Sequence, residues 1–212
     1  MNVSYFIGHS LFRIMGRLLF RYRAVFPPGL DLQRGYLVAC NHESFIDPPM
    51  VGIAFREGIH FLARRSLFRR WPMGAVLRSW NSIPVDQDRP DFTSLRTIIR
   101  LLKEGKKVLI FPEGSRSWDG ELGRGQPGVG LVIAKTGAPV LPARIFGARE
   151  ALPRGAKWVR RSPVTVVFGQ PLDFAEEGGG KAVGRKDYQQ MSDEVMAAIG
   201  QLRLPDAAGG VG

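Results

Sequence analysis

The chain has 212 residues, 44% of them apolar, a single cysteine and a net charge of +11 carried mostly by arginine. That length and apolar content suit one domain with a proper core plus an appendage, and they exclude a disulfide-stapled scaffold and a cysteine-rich zinc fold. The charge favours partners that bear phosphate, whether nucleic acid, anionic lipid or a phosphorylated small molecule.

Residues 4–23 read as one helix. Ile7, Leu11, Ile14, Leu18 and Tyr22 recur at helical spacing, widened by Phe12, Met15 and Leu19, with His9, Arg13 and Arg17 as a basic stripe beside them. Such a face suits a helix lying in a bilayer interface; the other reading is a helix docked on the domain's own core. No segment has the apolar length of a membrane span, and the recurring arginines argue against a cleavable signal. Pro27-Pro28-Gly29 ends the helix and begins a link. From Gly35 onward, short apolar runs predict strands at 36–40, 59–63, 82–85, 108–111, 140–145 and 164–168. Helices are expected at 48–56, 71–80, 92–103, 127–135 and 187–202, with Gly105 and Gly137 as C-terminal stops and Pro127 as a first-turn residue. This alternation predicts an α/β fold: a single layered domain with a central, mostly parallel or mixed sheet flanked by helices and preceded by the amphipathic helix. The division is 1–34 for an N-terminal membrane-association segment, 35–204 for the folded domain and 205–212 for a flexible tail, with a glycine-rich loop at 175–186.

Two short segments carry candidate chemistry. In Asn41-His42-Glu43-Ser44-Phe45-Ile46-Asp47-Pro48-Pro49, His42 follows a buried-strand run and Asp47 stands where a helix N-cap belongs, before a proline. If the chain between them folds back, Asp47 accepts the hydrogen bond of one imidazole N–H and leaves the other nitrogen to accept a proton from a substrate. That is a serine-hydrolase triad with the serine left out, and a hydroxyl on the substrate can fill its place. In Phe111-Pro112-Glu113-Gly114-Ser115-Arg116-Ser117 the chain must turn at a strand end, where open α/β sheets bind ligands. Gly114 lets a ligand approach the backbone, Arg116 offers a fork of donors suited to phosphate, and Glu113 could bind a hydroxyl or pair with an arginine. Cys40 reads as a small core residue, His60 as structural or exposed, and Asp86 and Asp88 as too scattered to hold a metal. Arg64-Arg65 and Arg69-Arg70, with Leu67, Phe68 and Trp71, read as a basic and aromatic patch facing lipid, or one that positions an acidic carrier protein.

Together the segments N-H-E-S-F-I-D and F-P-E-G-S-R-S resemble the first and third blocks of the glycerolipid acyltransferases, which include the lysophosphatidic acid acyltransferases. Arg69-Arg70-Trp71-Pro72-Met73-Gly74 leading to Ser82-Ile83-Pro84-Val85-Asp86 is similar to the second block, and Ala138 to Ile145 to the fourth. All four occur in the family's order. The second block usually closes with an arginine after the aspartate; here Gln87 stands there, with Arg89 two residues on. Either Arg89 takes over the phosphate contact, or the acceptor's head group differs.

The resemblance implies transfer of an acyl group from a thioester, acyl-CoA or acyl carrier protein, to an alcohol. His42 would be the general base and Asp47 its orienting carboxylate. Glu113, Gly114, Ser115 and Arg116 carry over as acceptor-binding positions, with Arg89 beside them and Arg64 as a further substrate contact; the oxyanion donor is left open among backbone N–H groups, Arg64 and Arg65. No metal or prosthetic group is required. The reading is a peripheral or monotopic enzyme on the cytoplasmic face of an anionic membrane, converting lysophosphatidic acid to phosphatidic acid. Glycerol 3-phosphate or a lyso-amino-acid lipid is the alternative acceptor. A non-enzymatic nucleic-acid binder would leave the placement of His42, Asp47 and Glu113 unexplained.

Overall fold

The computed structural model of the chain describes residues 3–69, 71, 73–86, 92–174 and 185–205. Gln87 and Arg89, Arg70, most of the glycine-rich stretch and the tail from 206 onward lie outside the described residues. Seven strands form one sheet in the order β1-β7-β6-β2-β5-β3-β4. They are β1 (Arg23–Val25), β2 (Leu37–Cys40), β3 (His60–Arg64), β4 (Ser82–Val85), β5 (Val108–Ile110), β6 (Val140–Phe146) and β7 (Thr165–Phe168). All neighbours pair in parallel except β6 with β7, so the sheet is mixed, as the alternation of elements implies.

Alternation along the central strands divides the core into two layers, because successive side chains point to opposite faces of a sheet. Val38, Cys40, Leu109, Leu141, Ala143 and Ile145 face one way. They meet Phe20 from α1 (Val3–Phe20), Met50 and Val51 from α2 (Asp47–Gly52), and Ala148 and Ala151 from α6 (Ala148–Ala151). Leu37, Ala39, Val108, Ile110 and Val140 face the other way. There they pack on α4 (Phe92–Lys103), α5 (Pro127–Thr136) and α7 (Arg185–Gln201) through Ile98, Leu102, Val132, Ile133, Val195 and Ile199. α3 (Met73–Ser79) and a 3-10 turn at Arg65–Arg69 lie between β3 and β4. α4 has the expected limits, set by a strong apolar stripe and a Gly105 with φ of 70°.

Several boundaries differ from those expected. α1 stops at Phe20 rather than running to 23: Arg21 turns to a φ of 39°, and Tyr22 N–H closes back on the Gly16 carbonyl at 3.1 Å. Tyr22 therefore does not extend the apolar stripe; its hydroxyl donates to the Met50 carbonyl at 2.7 Å. The next residues form the edge strand β1, so the sheet includes part of the segment before residue 35. His9 leaves the basic stripe as well. It stacks on Tyr5, its Nε2 pairs with the Phe55 carbonyl at 2.9 Å, and burial holds it below the usual histidine range.

Parallel pairing brings the ends of β2, β3, β5 and β6 to one edge. Ala39 lies opposite Ile110 and Pro142, and Phe61 opposite Leu109. The chain leaving β2 at Asn41, the turn from Phe111 and the connection after Phe146 thus emerge side by side, with Arg64 at the end of β3 near them.

Candidate active site

Asn41, 1% exposed, fixes the exit of β2. Its Oδ1 accepts the Ile145 N–H at 2.8 Å, and its Nδ2 donates to the Ile145 carbonyl at 3.2 Å and to Glu43 Oε1 at 2.9 Å. His42 follows, and its backbone is clasped from both sides by the neighbouring turn. Its N–H donates to Glu113 Oε1 at 3.3 Å, and its carbonyl accepts the Ser117 N–H at 2.8 Å. The imidazole lies on the Phe111 ring, with centroids 3.9 Å apart and planes 16° from parallel.

The chain between His42 and Asp47 does fold back. His42 Nδ1–H donates to Asp47 Oδ2 at 2.8 Å, and the same oxygen accepts the N–H groups of Glu43 and Ser44, each at 2.7 Å. Asp47 is not the N-cap: Ile46 occupies that place without a side-chain cap, and Asp47 is the first helical residue with its carboxylate turned back over residues 43 and 44. The carboxylate is fully buried, while the imidazole keeps 18% of its surface exposed. Asp47 Oδ1 has no hydrogen-bond partner among the described residues. With Nδ1 engaged by Asp47, Nε2 is the ring nitrogen that this contact leaves free.

The 111–117 turn supplies the rest. Gly114, at φ of 74°, gives its N–H to the Phe111 carbonyl at 3.0 Å, a backbone shape that suits glycine. The Glu113 carboxylate spans inward to the N–H groups of His42 and Gly123, and burial pushes its pKa up against those hydrogen bonds. Ser115 is exposed beside it. Arg116 lays its guanidinium over the Phe45 ring, 3.7 Å from the centroid. Its Nη1 is buried and has no hydrogen-bond partner among the described residues. Burial, with repulsion from Arg154 and Arg64, holds the Arg116 pKa below the usual arginine value. His42, Asp47, Glu113, Gly114 and Arg116 therefore meet at one edge of the sheet, with Arg64 within electrostatic reach.

Asn41, Phe45, Phe111, Trp118 and Arg154 also belong to this neighbourhood. Sequence spacing offers no sign of Trp118 and Arg154, since they come from separate connections. Asn41, Phe45 and Phe111 lie inside the two motifs, but an aromatic or amide there carries no mark of what it will touch. Among the described residues no three His, Cys, Asp or Glu side chains gather as a metal cage.

Residues 21–146 match the sequence model of the acyltransferase family. The chain belongs to that family. This acyltransferase is 33% identical over 150 residues to a 1-acyl-sn-glycerol-3-phosphate acyltransferase of Bacillus subtilis, covering 69% of this chain and 71% of that one. It is 29% identical over 135 residues to a chloroplastic 1-acyl-sn-glycerol-3-phosphate acyltransferase of Brassica napus, covering 62% of this chain but 39% of the longer plant protein. The crystal structure of the 1-acyl-sn-glycerophosphate (LPA) acyltransferase of Thermotoga maritima shares the fold, with a TM-score of 0.69, 23% identity, and coverage of 94% of this chain and 80% of that one. The enzyme thus transfers acyl groups on a mixed seven-stranded sheet, with His42 and Asp47 joined at the edge where its parallel strands end.

Proposed function

We propose that this acyltransferase moves an acyl chain from a thioester, acyl-CoA or acyl carrier protein, to the free hydroxyl of lysophosphatidic acid, forming phosphatidic acid. One observation carries the reading. A histidine oriented by a buried carboxylate stands beside an arginine whose buried Nη1 has no partner. A hydroxyl to be deprotonated and a phosphate to be held are the two functions of this acceptor. The names of the Bacillus and Brassica relatives support the same acceptor.

His42 Nε2 takes the hydroxyl proton while the acceptor oxygen bonds to the thioester carbonyl carbon. Asp47 stabilises the imidazolium, a general-base contribution of about 10²–10⁴ in rate. The positive field of Arg64 favours the tetrahedral oxyanion. The carbon–sulfur bond then breaks, and the departing thiolate takes the proton back from the imidazolium. Arg116 holds the phosphate, and Gly114 and Ser115 line its approach; Arg89, the other expected phosphate contact, lies outside the described residues. Glu113 keeps the His42 backbone in place and meets the glycerol hydroxyl. These steps need no metal or prosthetic group.

Substrate reaches this site from a bilayer surface. Phe6, Ile7, Leu11, Ile14 and Leu18 on α1 are 56–67% exposed, an apolar row suited to the headgroup boundary. Arg65, Arg69 and the 84% exposed Trp71 extend the contact, each cation near an anionic surface adding about 1 kcal/mol. No helix among the described residues is long and apolar enough to cross a membrane. The anionic cytoplasmic leaflet is the surface this charge selects.

A panel assay tests the assignment. Protein is mixed with vesicles carrying lysophosphatidic acid, lysophospholipid diesters or glycerol 3-phosphate, and with labelled acyl-CoA or acyl carrier protein. Phosphatidic acid should dominate. Label entering only diesters or glycerol 3-phosphate would overturn the acceptor.

A further inference from the structure

The connection after β6 places a second arginine, Arg154, beside Arg116. Arg154 lies 3.3 Å over the Trp118 ring, and its Nη1 donates to the Arg116 carbonyl at 3.3 Å. The backbones that carry both partners are held by their own surroundings. Arg149 Nη2 donates to the Trp118 main-chain carbonyl at 3.0 Å, at the base of the 75% exposed indole that Arg154 covers. The Arg154 loop is closed by Ala156 N–H on the Pro153 carbonyl at 3.0 Å and Arg160 N–H on the Ala151 carbonyl at 2.7 Å, with Gly155 at φ of 84°. A stacked guanidinium keeps its edge donors available while its face is occupied, and here most of those donors remain for a ligand. Among the described residues no carboxylate forms an ion pair with Arg116, Arg154 or Arg64, although Arg154 and Arg64 both repel Arg116. Of these neighbours only Asp47 opposes the repulsion on Arg116, so the cluster keeps positive charge that a bound anion offsets.

We propose that Arg154, stacked on Trp118, is a specificity-determining residue that binds the acceptor's phosphate together with Arg116 and selects a terminal phosphomonoester over a phosphodiester. This rests on the acceptor reading above and goes further by assigning monoester recognition to a residue outside the motifs. A phosphomonoester presents three unsubstituted oxygens and close to two charges, enough for two arginine forks. A diester presents two such oxygens and one charge, and satisfies Arg116 alone.

The test compares lysophosphatidic acid with lysophosphatidylglycerol in nonionic-detergent micelles, so that vesicle charge does not enter. Arg154→Ala should raise KM for lysophosphatidic acid about tenfold or more, the loss expected of one charge-assisted contact, while the diester KM rises far less. Arg154→Lys, which keeps the charge but loses the fork and the stacking, should fall between, and Trp118→Ala should shift KM in the same direction. Circular dichroism confirms that each variant is folded. An unchanged KM for lysophosphatidic acid in Arg154→Ala, with Arg116→Ala raising it, would overturn this inference alone. An equal rise for both acceptors would also overturn it, leaving Arg154 as general surface charge. Failure of the unsubstituted enzyme to acylate lysophosphatidic acid at all would instead overturn the acceptor reading and this one with it.

Discussion

At the residue scale, His42 and Asp47 show how little of a site lies in the pair itself. Their spacing of five is visible in the sequence, but the contact is produced by the Glu43 and Ser44 N–H groups, which draw the carboxylate back over the turn. Asp47→Asn keeps the shape and removes the charge that the proposed general-base step relies on. Acyl transfer should fall by about 10²–10⁴ in kcat with the fold retained, measured by steady-state kinetics beside circular dichroism. Glu43 gives a separate, pH-linked expectation. Burial, with the charges of Asp47 and Glu150, raises its pKa from 4.5 to about 7. Between those values the folded protein keeps a proton that the unfolded chain has released, so stability falls as pH rises through that window and levels off above it. Glu43→Gln should flatten that fall, read from urea midpoints at about pH 5 and about pH 8; an equal slope in both proteins would remove Glu43 as its source. The motif shows that Glu43 is present, whereas its neighbour Glu150 is more than a hundred residues away in the chain, which is why its titration was not legible there.

At the scale of elements, legibility follows length and periodicity. α4, with a strong apolar stripe over 12 residues, was delimited correctly from sequence. β1 and α6, of three and four residues, are too short to show a period and are set by the sheet edge and the β6 connection they pack on. The closeness of α5 and α7 was equally hidden. A Cβ on Gly130 would lie 2.0 Å from the Tyr188 carbonyl oxygen, so the two helices meet backbone to backbone at that glycine. Gly130→Ala should push α7 away and cost about 1–3 kcal/mol, seen as a lower urea midpoint; an unchanged midpoint would show that α7 yields without cost. Arg144 ties the far end of α7 to β6 by donating to the carbonyls of Gly200 and Leu202, each at 3.2 Å, a cation placed where the helix dipole favours it.

At the scale of the whole molecule, two features divide the work: a mixed sheet whose parallel strands deliver the motifs to one edge, and an N-terminal helix that is half core and half exposed. Sequence periodicity offered bilayer contact and docking on the core as alternatives for α1. The structure shows that Phe12, Met15, Leu19 and Phe20 pack inward while Ile7, Leu11, Ile14 and Leu18 remain outside. Replacing Leu11 and Ile14 together by serine should therefore weaken sedimentation with anionic vesicles several-fold and leave the thermal midpoint nearly unchanged. Equal sedimentation would remove α1 as the anchor. The most direct test of the enzyme's chemistry is the rate of phosphatidic acid formation from lysophosphatidic acid and a labelled acyl thioester, by the unsubstituted protein and by folded His42→Ala. Proton removal by His42 requires product from the first and a rate lower by about 10²-fold or more in the second. Comparable rates from the two proteins would contradict it.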